Sequence, residues 1–193
     1  AEAMMMCVAI AKKRNKVLMS ATMNPKVRRV VDTYALYNGI VVESIAEKDG
    51  VTDLADLEIK LQGDDVAGVI LAQPNFYGVV EDYTGVAEMC HARKALMVMN
   101  ANPLALALLR TPAEWGADIA CGDGQTLGIP MNYGGPYVGY LACTNALVRT
   151  ADSSPVSTIV LCSRSAPSAP PKIPPLHDTS NGTRNRYLAM RFI

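Results

Sequence analysis

At 193 residues and 20.7 kDa, with half of its residues hydrophobic, the chain is long enough to bury one core. Its 18 basic and 18 acidic residues cancel to a net charge of +0, which excludes the electrostatic footprint of a nucleic-acid or anionic-membrane binder. No apolar run reaches the ~18 residues of a bilayer span. The N-terminus lacks the basic-then-apolar order of a secretory signal, and Ala1 falls inside a helical pattern, as expected of a cut end. The five cysteines, Cys7, Cys90, Cys121, Cys143 and Cys162, form no C-x-x-C pair, and only His91 and His177 could join them on a metal. A zinc site needs about four clustered ligands, so none is expected. Four of the five sit in apolar surroundings, as free thiols do in a reducing, cytoplasmic setting.

Strand and helix signals alternate over residues 1–150. Lys16–Ser20 reads as a strand. Asn24 and Pro25 supply an N-cap and a first-turn proline, and Val27, Val30, Val31, Tyr34 and Leu36 predict an apolar stripe on the helix that follows. Asn38-Gly39 closes it, and 40–45 is the next strand. Thr52 is the expected cap of a helix over 53–61, with acidic residues in its first turn where the helix dipole favours them. Further along, 66–72 is a strand, 83–94 a helix, 96–100 a strand, 103–109 a short apolar helix and 117–121 a strand. Strands that are apolar throughout and separated by helices predict an α/β fold, a mostly parallel sheet between helices.

After Thr150 the character changes. Six of the twelve prolines (Pro155, Pro167, Pro170, Pro171, Pro174 and Pro175) fall in residues 151–193, and helical or strand periodicity is lost. Such a segment buries too little apolar surface to offset its chain entropy. It is expected to be a disordered tail or, the reading favoured here, a sequence foreign to the preceding domain, as after a reading-frame slip. No function is assigned to it.

Between the apolar runs 117–121 and 138–143 lies a long polar, glycine-rich connection, GDGQTLGIPMNYGGPY, residues 122–137. Connections of this length are usually functional, though an irregular link whose glycines serve only tight turns is an equal reading of the residues alone. The G-x-x-x-x-G-K-[ST] nucleotide loop is absent, and Gly122-Asp123-Gly124 lacks the third glycine of a dinucleotide fingerprint. The segment after the 66–72 strand, QPNFYG, also leaves a strand's C-terminal end, where α/β sheets place ligands.

The wording of several stretches resembles one family. They are 1–6 (AEAMMM), 48–54 (KDGVTDL), 73–82 (QPNFYGVVED), 102–109 (NPLALALL) and 115–140 (WGADIACGDGQTLGIPMNYGGPYVGY). In order and spacing they resemble glycine decarboxylase, the P-protein of the glycine cleavage system, in its first subunit or the equivalent half of the single-chain form. Most of residues 1–150 is covered, and GDGQTLGIP followed by GGPYVG is the specific part. The resemblance implies part of the large domain of a fold-type I pyridoxal-phosphate-dependent transferase.

That family's chemistry requires a lysine to hold pyridoxal phosphate as a Schiff base and an aspartate to keep the pyridinium nitrogen protonated. In the active half, the lysine precedes an isoleucine-proline and a glycine-rich run. On that pattern Gln125, before Ile129-Pro130, stands at the lysine position, and Asn100 or Asn102 stands where the aspartate would be. The resemblance therefore implies no catalytic residue and no covalent cofactor on this chain. Pyridoxal phosphate would be bound by a lysine-bearing second P-protein subunit, in an α2β2 assembly. Gly124, Gln125, Thr126, Tyr133, Gly134, Gly135 and Pro136 are the candidate shared-site or interface residues. The implied reaction is glycine decarboxylation with aminomethyl transfer to the lipoyl H-protein. Alternatives are the N-terminal half of a fused P-protein, a pyridoxal enzyme using Lys48 or Lys94, and a non-catalytic interaction module of the same fold.

Overall fold

The strand Val66–Gln73 is buried at every position, which requires cover on both of its faces. The computed structural model describes residues 1–131, 137–147 and 159–163. In chain order the elements are α1 (Glu2–Ala11), β1 (Lys16–Ser20), α2 (Pro25–Asn38), β2 (Val41–Ile45), β3 (Glu47–Lys48), β4 (Val51–Thr52), α3 (Leu54–Lys60) and β5 (Val66–Gln73). They continue with α4 (Val86–Ala92), β6 (Leu96–Ala101), β7 (Ile119–Asp123), β8 (Gly139–Thr144) and β9 (Ile159–Ser163). Seven strands form one sheet in the order β2-β1-β5-β6-β7-β8-β9, while β3 and β4 make a separate antiparallel ribbon. Neighbours in the large sheet are parallel except β7 and β8.

Alternation along the strands divides the interior into two layers. Val17, Met19, Ile70 and Val98 face α1 and α2, with Met4, Cys7 and Val31. Leu18, Val69, Leu71, Met97 and Met99 face α3 and α4, with Leu57, Val86 and Cys90. A bulge in β5 shifts the register on β1, so that Lys16 pairs with Val66 but Val17 with Gly68. A Cβ on Gly68 would lie 2.7 Å from the Cys7 sulfur and 3.2 Å from the Leu96 carbonyl oxygen. Only glycine lets α1 sit this close to the sheet.

Several expectations need correction. The cap of α3 is Asp53, whose carboxylate accepts from the Ala55 and Asp56 amides; Thr52 ends β4 and is buried. The buried stripe of α2 runs through Val31 and Ala35, leaving Val30, Tyr34 and Leu36 exposed. Its Asn24 cap, Pro25 start and Gly39 close are as expected. Helix α4 begins at Val86, since Asp82 makes a local turn with Thr84 and the Tyr83 hydroxyl donates to the Ala72 carbonyl oxygen. The 103–109 helix contracts to a single 3-10 turn, Ala105–Ala107. Strand β7 runs two residues further than expected, held by antiparallel pairing of Gly122 with Tyr140 and Asp123 with Gly139. The β3–β4 ribbon and β9, which pairs parallel to β8, carry no signal read from the sequence. The rest of 151–193 lies outside the described residues.

Candidate functional site

The C-terminal ends of β1, β5, β6 and β7 open onto one cleft of about 360 Å³. In a parallel sheet this edge collects the loops while the strands stay fixed, so side chains from distant sequence positions meet there. The wall combines Met23, Ala72, Pro74 and Phe76 with the carboxamides of Asn24, Asn75, Asn100, Asn102 and Gln125. Thr126 and Asp123 complete it, and Asp123 is the single ionisable side chain of the lining.

The sequence-derived residues divide unequally. Gln125 and Thr126 line this cleft together with both Asn100 and Asn102, so the lysine and aspartate positions inferred from the family pattern converge. The Thr126 hydroxyl donates to Asn102 Oδ1 at 3.3 Å. Gly124 lies behind the wall, its amide donating to the Val138 carbonyl oxygen at 2.7 Å. Gln125 opens the 3-10 turn Gln125–Leu127, its amide capped by Asp123 Oδ1 at 2.8 Å. Its own side-chain nitrogen, Nε2, is buried without a hydrogen-bond partner among the described residues. Tyr133, Gly134, Gly135 and Pro136 lie outside the described residues.

Two supports of the cleft escaped sequence reasoning. The first is Glu81, a buried carboxylate with no cation beside it among the described residues. Its Oε1 accepts from Thr22 Oγ1 (3.1 Å) and Asn75 Nδ2 (2.8 Å), and its Oε2 accepts from the Thr52 amide (2.8 Å). Gln73 grips the Glu81 backbone at both its carbonyl and its amide. The Ser20, Thr22 and Thr52 hydroxyls bond to one another beneath it. One acid thus ties the β1 loop, the β3–β4 ribbon and the β5 loop into a rigid floor, and Asn75 passes that order on to the Tyr77 and Val79 amides. A lone glutamate in a turn carries no periodic signal that would mark it.

The second support is Tyr140, whose hydroxyl donates to the Ala101 carbonyl oxygen at 2.5 Å across β7. Burial pushes this phenol well above its ordinary pKa. The ring passes over Gly122, where a Cβ would lie 2.3 Å from the Ala101 oxygen and 2.7 Å from the ring. The first glycine of the GDGQ motif is therefore a packing requirement.

Pyridoxal phosphate held as a Schiff base does not fit these residues. The lining offers no amine, and an amide at Gln125 cannot form the imine. Asn100 and Asn102 are uncharged, and the Asp123 carboxylate is engaged with the Gln125 turn. A larger cavity of about 810 Å³ at the opposite edge is lined mainly by small residues and by His91, which meets Asp118 at 2.8 Å. Asp118 also accepts from the Met97 amide, tying α4 to β6. No helix among the described residues is long and apolar enough to cross a membrane.

Comparison with known proteins identifies the family and the fold. The family model described as glycine cleavage system P-protein matches residues 1–154. The chain is 44% identical over 149 residues to the probable glycine dehydrogenase (decarboxylating) subunit 1 of Desulforamulus reducens, covering 77% of this chain and 33% of that protein. It therefore spans about a third of the length of the curated relatives it matches. A crystal structure of glycine decarboxylase (P-protein) of the glycine cleavage system, in inhibitor-bound form, superposes with a TM-score of 0.69 at 36% identity, covering 77% of this chain and 32% of that one. An alanine–glyoxylate aminotransferase from Nostoc sp. shares the fold at 20% identity and a TM-score of 0.53, covering 80% and 40%. The fold is that of the fold-type I pyridoxal-phosphate-dependent enzymes, present in part.

Proposed function

The chain belongs to the glycine cleavage system P-protein family, and from that premise we propose that it is part of subunit 1 of a glycine dehydrogenase (decarboxylating). In this reading it completes the active site of a lysine-bearing second subunit and carries no covalent cofactor itself. The partner holds pyridoxal phosphate, glycine is the substrate, and the aminomethyl group leaves on the lipoyl H-protein, within an α2β2 assembly. One observation carries the reading: Gln125 and the amides Asn100 and Asn102 meet in one cleft. That the relatives are named subunit 1 favours the two-subunit form over a fused chain.

Exposed apolar side chains on the loops that leave this edge of the sheet support a protein partner there. In the loops leaving β5, β6 and β7, Phe76, Tyr77, Leu108, Leu127, Met131 and Tyr137 are exposed, Leu108 by 93% and Met131 by 81%. At roughly 200 Å² for each large side chain, they present on the order of 800 Å², about one partner's share of a standard interface. Gly124, Gln125, Thr126, Tyr133, Gly134, Gly135 and Pro136 are the loop residues assigned to the shared site or its interface. A cytoplasmic location accords with the thiols of Cys7, Cys90 and Cys121, which form no disulfide among the described residues.

The test is a chimera in which this chain's residues 1–147 replace the matching third of a curated subunit 1, co-expressed with the lysine-bearing subunit. Glycine-dependent exchange of labelled carbon dioxide in the presence of H-protein is the expected outcome. A chimera that folds and assembles yet supports no exchange would refute the assignment. So would a stoichiometric pyridoxyl-lysine on this chain after borohydride reduction.

A further inference from the structure

The N-terminal edge of the sheet, opposite the cleft, carries cations from two segments far apart in sequence. Lys12, Lys13 and Arg14 follow α1, and Arg93 and Lys94 follow α4. Arg14 ties the two together: its Nη1 donates to the Val66, Arg93 and Lys94 carbonyl oxygens at 2.9, 3.0 and 3.0 Å. None of the five is in an ion pair among the described residues. The acids of the adjoining strands and turns are already taken, Asp65 and Glu43 by Lys16 and Asp118 by His91, with Asp64 the exception.

Two of these lysines stand where the backbone favours glycine. Lys12 has φ 57° and ψ −46°, and the Lys13 amide donates to the Ala11 carbonyl oxygen at 2.6 Å, a γ-turn of the strained hand. Lys94 has φ 56° at the end of α4, where the Ala95 amide reaches back to the Cys90 carbonyl oxygen. Helix α2 closes with the same bond, from the Ile40 amide to the Ala35 carbonyl oxygen, and there the left-handed residue is Gly39. Glycine takes this conformation without the steric cost that a Cβ brings, so α1 and α4 keep a lysine at the expense of stability. Attraction to the helix dipole does not account for it, because Lys13 and Arg93 supply that charge without a positive φ. Strain kept where a ready alternative exists points to a use for the side chain.

The surface has the chemistry to meet carboxylates and no pocket to enclose a small one. Neither cavity described above is lined by any of the five cations. Residues 8–16 and 90–96 expose no large apolar side chain, which a membrane surface or stacked bases would need. Charges of one sign on two helix ends held in fixed relation suit a protein face of aspartate and glutamate side chains. We propose that this edge docks an acidic protein surface. It faces away from the cleft, so assembly there can fail while docking here stands, or the reverse.

Anisotropy titration of labelled poly-L-glutamate with the whole chain at low salt tests it, with duplex DNA and phosphatidylglycerol vesicles as competing polyanions. Saturable binding to polyglutamate is expected, weakened by added salt and tighter than to either alternative. Lys12→Gly combined with Lys94→Gly should raise the midpoint of urea unfolding. The same pair should weaken polyglutamate binding at least about fivefold, as the loss of two exposed charge contacts implies. Arg93→Gln, which alters no left-handed residue, should weaken it about twofold and leave the midpoint in place. Lys26→Gln, in the first turn of α2, should change neither. Absence of saturable binding would overturn the proposal, as would a preference for DNA or the vesicles. A double glycine variant that is more stable yet binds as the parent does would show the lysines to be ordinary helix ends, and would overturn it too. Should that variant fail to fold, Arg93→Glu decides: reversal of the charge must weaken polyglutamate binding, and unchanged binding overturns the proposal.

Discussion

Glu81 and Gly122 show how single positions hold the cleft in shape. Each Glu81 oxygen accepts a hydrogen bond from a buried donor, so Glu81→Gln must set an amide NH2 against the Thr52 amide or against Thr22 and Asn75. The cost of a buried donor left unsatisfied is about 1–3 kcal/mol, and the midpoint of urea unfolding should fall accordingly. Glu81→Ala, which strands all three donors, should cost more than Glu81→Gln. Gly122→Ala is a steric case, since its Cβ would press on the Ala101 oxygen and the Tyr140 ring. Overpacking of that kind costs about 1–3 kcal/mol. Tyr140→Phe, which removes only the bond to Ala101, should cost about 1 kcal/mol by the same measurement. If Tyr140→Phe relieves part of the Gly122→Ala penalty in the double variant, the two sites are coupled through the ring.

At the scale of elements, local chemistry was most legible where it acts alone. The strand Lys16–Ser20 and the ends of α2 follow from apolar runs, an Asn-Pro start and an Asn-Gly stop. The face that α2 buries did not follow, because Val30, Tyr34 and Leu36 are as apolar as the residues turned inward and only the sheet selects among them. The cap of α3 slipped by one residue for a related reason: Thr52 and Asp53 are both good caps, and Thr52 is taken by the Ser20–Thr22 hydroxyls. Gln125 and the Asn100–Asn102 pair could be brought to one site through the family pattern, whereas Glu81 depends on contacts 29 and 59 residues away. Packing on α4 has a measurable consequence. Burial, and then the nearby Asp118 charge, pushes the Cys90 thiol from its ordinary 9.0 up to about 12. Between those values the folded chain keeps a proton that the unfolded chain releases, so stability is full below pH 9 and declines as pH rises. Cys90→Ala should flatten that decline by up to about 1.4 kcal/mol per pH unit, read from urea midpoints between pH 8 and 10.5.

For the molecule as a whole, the question is what the cleft edge meets. The floor is rigid and hydrogen-bonded, the lining is carboxamide, and the rim is apolar, the reverse of an edge evolved to face water alone. Exposed apolar residues on the loops leaving β5, β6 and β7 fit a surface that docks a partner. If the second subunit docks there, charges placed on the rim must be desolvated without partners, at a cost of several kcal/mol for the pair. Met131→Asp combined with Tyr137→Asp, introduced into the subunit 1 chimera, should therefore weaken co-purification with the lysine-bearing subunit by at least about 100-fold. Both side chains are largely exposed, so the chimera's own unfolding midpoint should move by less than about 0.5 kcal/mol. Asp32→Ala, on the outer face of α2, should alter neither quantity. Undiminished assembly of the double aspartate variant would put the partner elsewhere. The α2 face, with Val30, Tyr34 and Tyr37 exposed, would then be the next surface to charge.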